Sequence, residues 1–246
     1  MTVDIAGICA RAWPVARRDM AILWPVAGVF LFLPALAMLL LVPQPPVGPG
    51  SDASQAQVRE FLTLFSAWIV ANAPLFVLGA LVSLMGSATI YCLYLDRSVR
   101  DVGGALAAAL RLLPRFVLAS VLVLIPAMIG ASFFLLPGLY VLGRLSIVGP
   151  VLVGVRPVSA VEAVLRALRL SRGHGLLLSG VVLLLLAGGQ LLPWPFLAML
   201  DAVEQTRTAS PVVVVVLSGL AAALSAVVAL ATVMIRIGLY EQLNAR

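Results

Sequence analysis

Six long runs of almost chargeless apolar residues alternate along the chain with short arginine-bearing segments. The runs predicted as helices are Ala21–Val42, Ala73–Leu95, Phe116–Leu136, Gly138–Val155, Gly175–Leu192 and Val212–Ile235. A helix rises 1.5 Å per residue, so about 20 residues cross a hydrocarbon core roughly 30 Å thick. Thirteen of the sixteen arginines fall in four clusters: Arg11/Arg17/Arg18, Arg97/Arg100/Arg111/Arg115, Arg156/Arg166/Arg169/Arg172 and Arg236/Arg246. A pair of apolar runs separates each cluster from the next. Cationic flanks are retained on the cytoplasmic side of spanning helices, so the spacing predicts six spans with both termini in the cytoplasm.

The connections differ by side. Pro43–Gly50 carries four prolines and is predicted as a stiff external linker, since proline removes donors and fixes φ. In the following segment, 51–72, Phe61, Leu62, Phe65, Trp68 and Ile69 recur at helical spacing. Either it lies in the external interface, or it extends the second span as one helix broken near Pro74. Pro137-Gly138 suits a type II turn and is expected to join the third and fourth spans as a tight hairpin. Residues 193–211 are expected to form the last external loop.

The arginine segments resemble one another. Asp101–Arg115 aligns without gaps on Ser159–Gly173, and Asp4–Arg18 is a weaker third copy. Each opens on an N-cap residue (Asp101, Ser159 or Asp4) and leads into an outward span. Ser159-x-x-Glu162 is a capping box, and Ser159, Glu162, Arg166 and Arg169 line one face opposite Val161, Val164, Leu165 and Leu168. Such helices usually lie in the membrane plane. The predicted fold is all-α: a polytopic bundle of six transmembrane helices with three cytoplasmic-side amphipathic interfacial helices and a threefold internal repeat. It forms one domain, 1–246, with units of about 1–95, 96–156 and 157–246.

Composition narrows the class. The chain is 63% hydrophobic and 11% charged, with a mean hydropathy of +1.15; soluble domains carry about 25% charged residues. Six spans in 246 residues leave little for a soluble catalytic domain. The net charge of +6 comes from arginine alone among the basic side chains. Basic charge beside apolar spans points to anionic lipid head groups rather than nucleic acid, which needs a basic face on a folded soluble module. Cys9, Cys92 and His174 do not make a structural zinc site, and no metal or other cofactor is expected. Met1–Met20 contains acids, and the run after it is longer than a signal h-region, so the first span is read as uncleaved.

Leu136–Leu176 carries a likeness to known proteins. Pro137-Gly138 opens a helix, Arg144 lies inside an apolar run, Pro150 is mid-helix, and an amphipathic segment extends from Glu162-Ala163 to Ser171-Arg172-Gly173. The stretch resembles the YciC-like bacterial inner-membrane proteins and the membrane domain of some glycerophosphoryl diester phosphodiesterases. The resemblance implies a six-span inner-membrane protein without the hydrolase domain, and so without its activity.

Arg144 is the foremost candidate ligand-binding residue. A helix starting at Gly138 places it about 9 Å below the outer surface, where an unpaired arginine costs roughly 2.5–3.5 kcal/mol. It can await an anionic ligand, bind carbonyls freed by Pro150 or Pro126, or reach Asp201 or Glu204. Arg111, Arg115, Arg166, Arg169 and Arg172 are candidates for a cytoplasmic belt on lipid head groups. His174 between two glycines is either a proton-linked switch or a plain interface residue. Asn72, Ser83, Ser87, Thr89 and Gln190 are expected to hydrogen-bond between helices, and Ser218, Ala222 and Ala226 form a small-residue stripe for close packing.

No HExxH, GxSxG, Walker loop or acidic cluster for magnesium is present, and none of the ten acids lies mid-span. The expected function is therefore that of a non-enzymatic bacterial inner-membrane protein interacting with lipids or other envelope components, with a second copy of itself as a further potential partner. The alternative is a transporter or channel, for which broken helices at Pro126 and Pro150 are the main hint.

Overall fold

The computed structural model describes residues 17, 19–50, 52–155, 158–205 and 210–244, which are mostly helical with no strand among them. Helices α1 (Met20–Leu41), α2 (Gln55–Leu95) and α3 (Val102–Phe133) come first. The fourth span is the pair α4 (Leu135–Leu145) and α5 (Val148–Gly154). A short amphipathic helix, α6 (Ala160–Leu170), precedes α7 (Gly175–Leu191), α8 (Trp194–Gln205) and α9 (Pro211–Asn244). Six stretches are long and apolar enough to cross a membrane; Leu135–Gly154 and Gly175–Val203 each join two shorter helices, and Met20–Leu41 contains a π-helical turn. Helix is the form such runs must take, because each unpaired backbone group in hydrocarbon costs several kcal/mol.

The fourth span is the centre of the bundle. Its residues are 61% buried inside the protein, against 11–28% for the other five spans. Two glycines make that position possible. A Cβ on Gly138 would stand 2.7 Å from the Ala131 nitrogen of α3, and one on Gly143 would stand 2.5 Å from the Ser179 nitrogen of α7. Backbone therefore meets backbone on both sides of α4, the close approach that holds helices together where lipid is as apolar as leucine.

The helix starts follow their sequence signals. Asp101 Oδ1 accepts from Gly104 N at 2.8 Å and caps α3. In α6, Glu162 N donates to Ser159 Oγ at 3.2 Å, while Ser159 N donates to Glu162 Oε2 at 2.9 Å. The same reciprocal box, Ser54 with Gln57, opens α2. The donors of Ser159 hold the exposed Glu162 carboxyl below its ordinary value of 4.5.

Several expectations change. The hairpin between the third and fourth spans turns at Phe134, which is extended. Pro137-Gly138 is not a turn; it lies inside the first turns of α4, where the missing proline N–H had no partner to lose. Residues 194–205 are helix α8 rather than loop. Segment 51–72 is no separate interfacial element, because α2 runs unbroken for 41 residues through Pro74. At about 61 Å it is twice the hydrocarbon thickness. The linker 43–50 has no regular structure, as expected.

The three arginine segments do not share one structure. Asp4–Arg18 lies outside the described residues except for Arg17. Asp101–Arg115 is not a separate interfacial helix but the first half of α3, whereas Ser159–Gly173 forms the independent helix α6. The alignment itself explains the difference. Gly173 stands at φ +80 and ends the helical path, while the aligned Arg115 sits in unbroken helix. An L residue with a side chain resists the left-handed region by about 1–2 kcal/mol.

Prolines divide by burial. Pro74, Pro114 and Pro126 are exposed, and their helices run straight through, so no break exists at Pro126. Buried Pro150 and Pro34 each follow an irregularity, the Ser146–Ile147 break and the π-turn Gly28–Phe32. A proline ring clashes with the carbonyl four residues back. A free face lets the helix bend around that clash; a packed face does not, and the hydrogen-bond ladder gives way instead.

Thermal unfolding in detergent checks this packing. Gly143→Ala should destabilise strongly, because its methyl meets the Ser179 backbone, and Gly173→Ala should cost about 1–2 kcal/mol. Gly180→Ala in the same bundle has open space around its Cβ and should be neutral or stabilising by about 0.5–1 kcal/mol.

Candidate functional site

One end of the bundle gathers the arginines, because α3 begins there, α6 lies across it and α9 ends there. Arg144 belongs to this end and not to the opposite one. It stands in the last turn of α4, nine residues after Leu135, and reaches the C-terminus of α6. Its Nε donates to Ser171 Oγ at 3.1 Å, and its Nη2 donates to the Leu168 carbonyl. Ser171 is buried and its hydroxyl donates to the same carbonyl at 3.2 Å. The guanidinium carbon is 5.9 Å from the centre of the Tyr140 ring, one turn back on α4.

Partners expected from Pro150, Pro126, Asp201 or Glu204 are thus replaced by the end of α6. The physical reason lies in helix termini: the last carbonyls of α6 have no partner within the helix and carry the negative end of its dipole. Arg144 acts as a C-cap delivered from another helix. Neither Leu168 nor Ser171 carries a signal in sequence for a partner 24 or 27 residues upstream, so this arrangement was not legible.

Of the belt residues, Arg115 is exposed, and its Nη1 donates to the Val158 carbonyl at 3.3 Å, tying α3 to the start of α6. Arg169 folds back on the Leu165 carbonyl at 3.4 Å. Arg111, Arg166, Arg169 and Arg172 are exposed, on α3, α6 and the turn after it. The structure brings α3 and α6 together, so these four side chains share one end of the molecule. Arg111 also lines an open cleft of about 500 Å³ with Arg100, Asp96 and Asp101. Asp96 accepts from Ser98 and Asp101 caps α3, so both carboxylates are already engaged.

The remaining candidates are structural. His174 occupies the N-cap position of α7, its Nδ1 3.2 Å from the Arg172 carbonyl. Gly175 beside it is required by Tyr140, whose ring a Cβ there would meet at 2.5 Å. Asn72, Ser87 and Thr89 bond the carbonyls four residues back in their own helix, at 2.9, 3.0 and 2.8 Å. They do not link helices as expected, since back-bonding satisfies them locally. Gln190 is exposed. Ser218, Ala222 and Ala226 are buried within the chain.

One feature was not anticipated. A cavity of about 270 Å³ opens beside the Ser146–Ile147 break, lined from α2, α3, α4, α5, α7 and α9 by residues including Ser87, Tyr91, Ser120, Ser146 and Arg236. Arg236 had been placed just beyond the last span; the helix instead continues to Asn244. The signal available was an arginine eight residues short of the end of an otherwise apolar helical run.

Compared with family models, curated proteins and solved structures, the chain matches none.

Two measurements check the reading of α6. Arg144→Leu should destabilise by roughly 1.5–3 kcal/mol, the range for a charged hydrogen bond lost from a part-buried site, with hydrogen exchange rising first in 160–171. For Glu162 the folded value is depressed, so its contribution is present above the unfolded value near 4.5 and lost as pH falls through the lower folded one. Exchange at the start of α6 should rise over that acid window in the wild type and stay flat in Glu162→Gln.

Proposed function

We propose that the chain is a multi-pass protein of a bacterial inner membrane, with both termini in the cytoplasm, that holds anionic lipid on its inner face and catalyses no reaction. The observation carrying this reading is the set of five exposed arginines, Arg111, Arg115, Arg166, Arg169 and Arg172, on adjacent helices at one end of a six-span apolar bundle. Each basic residue near an anionic surface contributes about 1 kcal/mol. Arg144 fixes α6 to α4, and Arg115 ties its start to α3. The likeness of Leu136–Leu176 to the YciC-like inner-membrane proteins agrees with this placement.

A second reading, transport of a small molecule or lipid, draws on the break at Ser146–Ile147 and the cavity beside it. A non-helical turn inside a span is tolerated where it faces a cavity or protein, and transporters place binding sites at such turns.

Two experiments test the first reading. In a Cys9→Ser/Cys92→Ser background, Arg172→Cys should be shielded from an impermeant maleimide in intact cells, and Asp201→Cys should be labelled; the reverse pattern inverts the topology. Protein extracted with its surrounding lipid should be enriched in phosphatidylglycerol over the bulk membrane. Replacing Arg111, Arg166, Arg169 and Arg172 by Gln should remove most of that enrichment, and unchanged enrichment would discard the belt.

A further inference from the structure

The cavity at the fourth-span break has a composition that a packing defect would not have. Arg236 lines it, and the Nε of Arg236 is buried without a hydrogen-bond partner among the described residues. Leaving a buried donor unpaired costs about 1–3 kcal/mol, and more for a charged group. Among the described residues no acidic side chain lines the cavity, so none of them neutralises the guanidinium there. The hydroxyls of the cavity are neutral, and none is within hydrogen-bond distance of that Nε. Ser87, Ser120 and Ser146 donate to the carbonyls of Ser83, Phe116 and Gly143, at 3.0, 2.8 and 2.8 Å. The positive charge awaits an anion.

The shape of the opening says where that anion comes from. Ser120 and Leu124 on α3 and Leu186 on α7 line the cavity and are also exposed on the flank of the spans, Leu124 by 55% and Leu186 by 50%. This flank is apolar, so the mouth faces lipid rather than bulk water. Depth agrees. Arg236 precedes the end of α9 by eight residues, about 12 Å. At 34 residues α9 is about 51 Å long, exceeding a 30 Å core by about 10 Å at each end. Arg236 therefore stands close to the level of the head groups at the arginine-rich end. It is one turn from Tyr240, whose ring abuts Gly154 at the close of α5.

We propose that this cavity is a binding site for one anionic phospholipid, which enters sideways from the bilayer. Its phosphate oxygens accept from Arg236, and an acyl chain leaves through the mouth between Leu124 and Leu186. A volume of 270 Å³ holds about nine waters at 30 Å³ each, enough for a phosphate and the first part of a chain. Two whole chains do not fit, so the rest of the lipid stays in the bilayer. The site depends on the membrane placement proposed above but not on the surface belt, since none of the belt arginines lines it.

The experiment is native mass spectrometry of delipidated protein titrated with phosphatidylglycerol, phosphatidylethanolamine or oleate. One phosphatidylglycerol should bind ahead of the others and persist at high salt, because a buried pair is poorly screened. Arg236→Gln should weaken that first adduct at least about tenfold and weaken phosphatidylethanolamine, whose ammonium offsets its phosphate, by less. Ser120→Trp, which narrows the mouth with Arg236 intact, should lose the same adduct and answers the question if Arg236→Gln does not fold. Changing Arg111, Arg166, Arg169 and Arg172 to Gln should remove only salt-sensitive adducts, so the belt and the cavity can fail separately. Wild-type phosphatidylglycerol binding in both cavity variants overturns the proposal. So does an Arg236-dependent adduct formed by oleate and not by phosphatidylglycerol.

Discussion

The bundle depends on backbone-to-backbone contact along the fourth span. Between helices in lipid there is little hydrophobic gain to drive association, so stability comes from how closely main chains approach. At Gly138 and Gly143 even one methyl would stand under 3 Å from backbone of α3 or α7. Those contacts seat α4 between its neighbours and make Leu135–Gly154 the most enclosed of the spans. Once it is enclosed, Pro150 faces protein instead of lipid and the helix breaks before it. The cavity opens at that break. Packing, irregularity and site thus follow from one pair of glycines.

Arginines with the same local sequence character meet three fates, decided by what packs beside each. Arg115 and Arg144 find main-chain carbonyls, of Val158 and Leu168, and lock the amphipathic helix onto the bundle. Arg111, Arg166, Arg169 and Arg172 stay exposed at the end of the spans without holding another helix among the described residues, whereas Arg115 is exposed but bonded to Val158. Arg236 is the arginine that lines the cavity, and its Nε has no partner among the described residues. Its charge is costly unless a ligand meets it, whereas the exposed arginines incur little cost. A mutation in the first group should be felt as stability, in the second as salt-dependent lipid contact, and in the third as loss of a particular site.

Much of the local structure was legible because it rests on interactions spanning three or four residues. Asp101 and Ser159 cap helices where their side chains indicated, and α6 buries Ala160, Ala163 and Ala167 while Glu162, Arg166 and Arg169 are exposed with Val161 and Leu165. The aligned segments nevertheless diverge, since one glycine, Gly173, stands where the other copy has Arg115. The misplaced hairpin turn has a similar origin. Pro137-Gly138 suits a turn and the opening of a helix equally well, and only the contact of Gly138 with Ala131 distinguishes them. The same holds for 51–72, where a capping box at Ser54-x-x-Gln57 marked a helix start that periodicity alone left ambiguous.

Sequence by itself determined the number of apolar spans, the gathering of arginine between them and the helix starts, because length, charge and capping are properties of contiguous residues. Tertiary structure decided which span lies at the centre, which carbonyls Arg144 answers and which arginine is left facing a cavity. Those outcomes depend on helices far apart in the chain meeting at distances of a few ångströms, and no local pattern carries the identity of a distant neighbour.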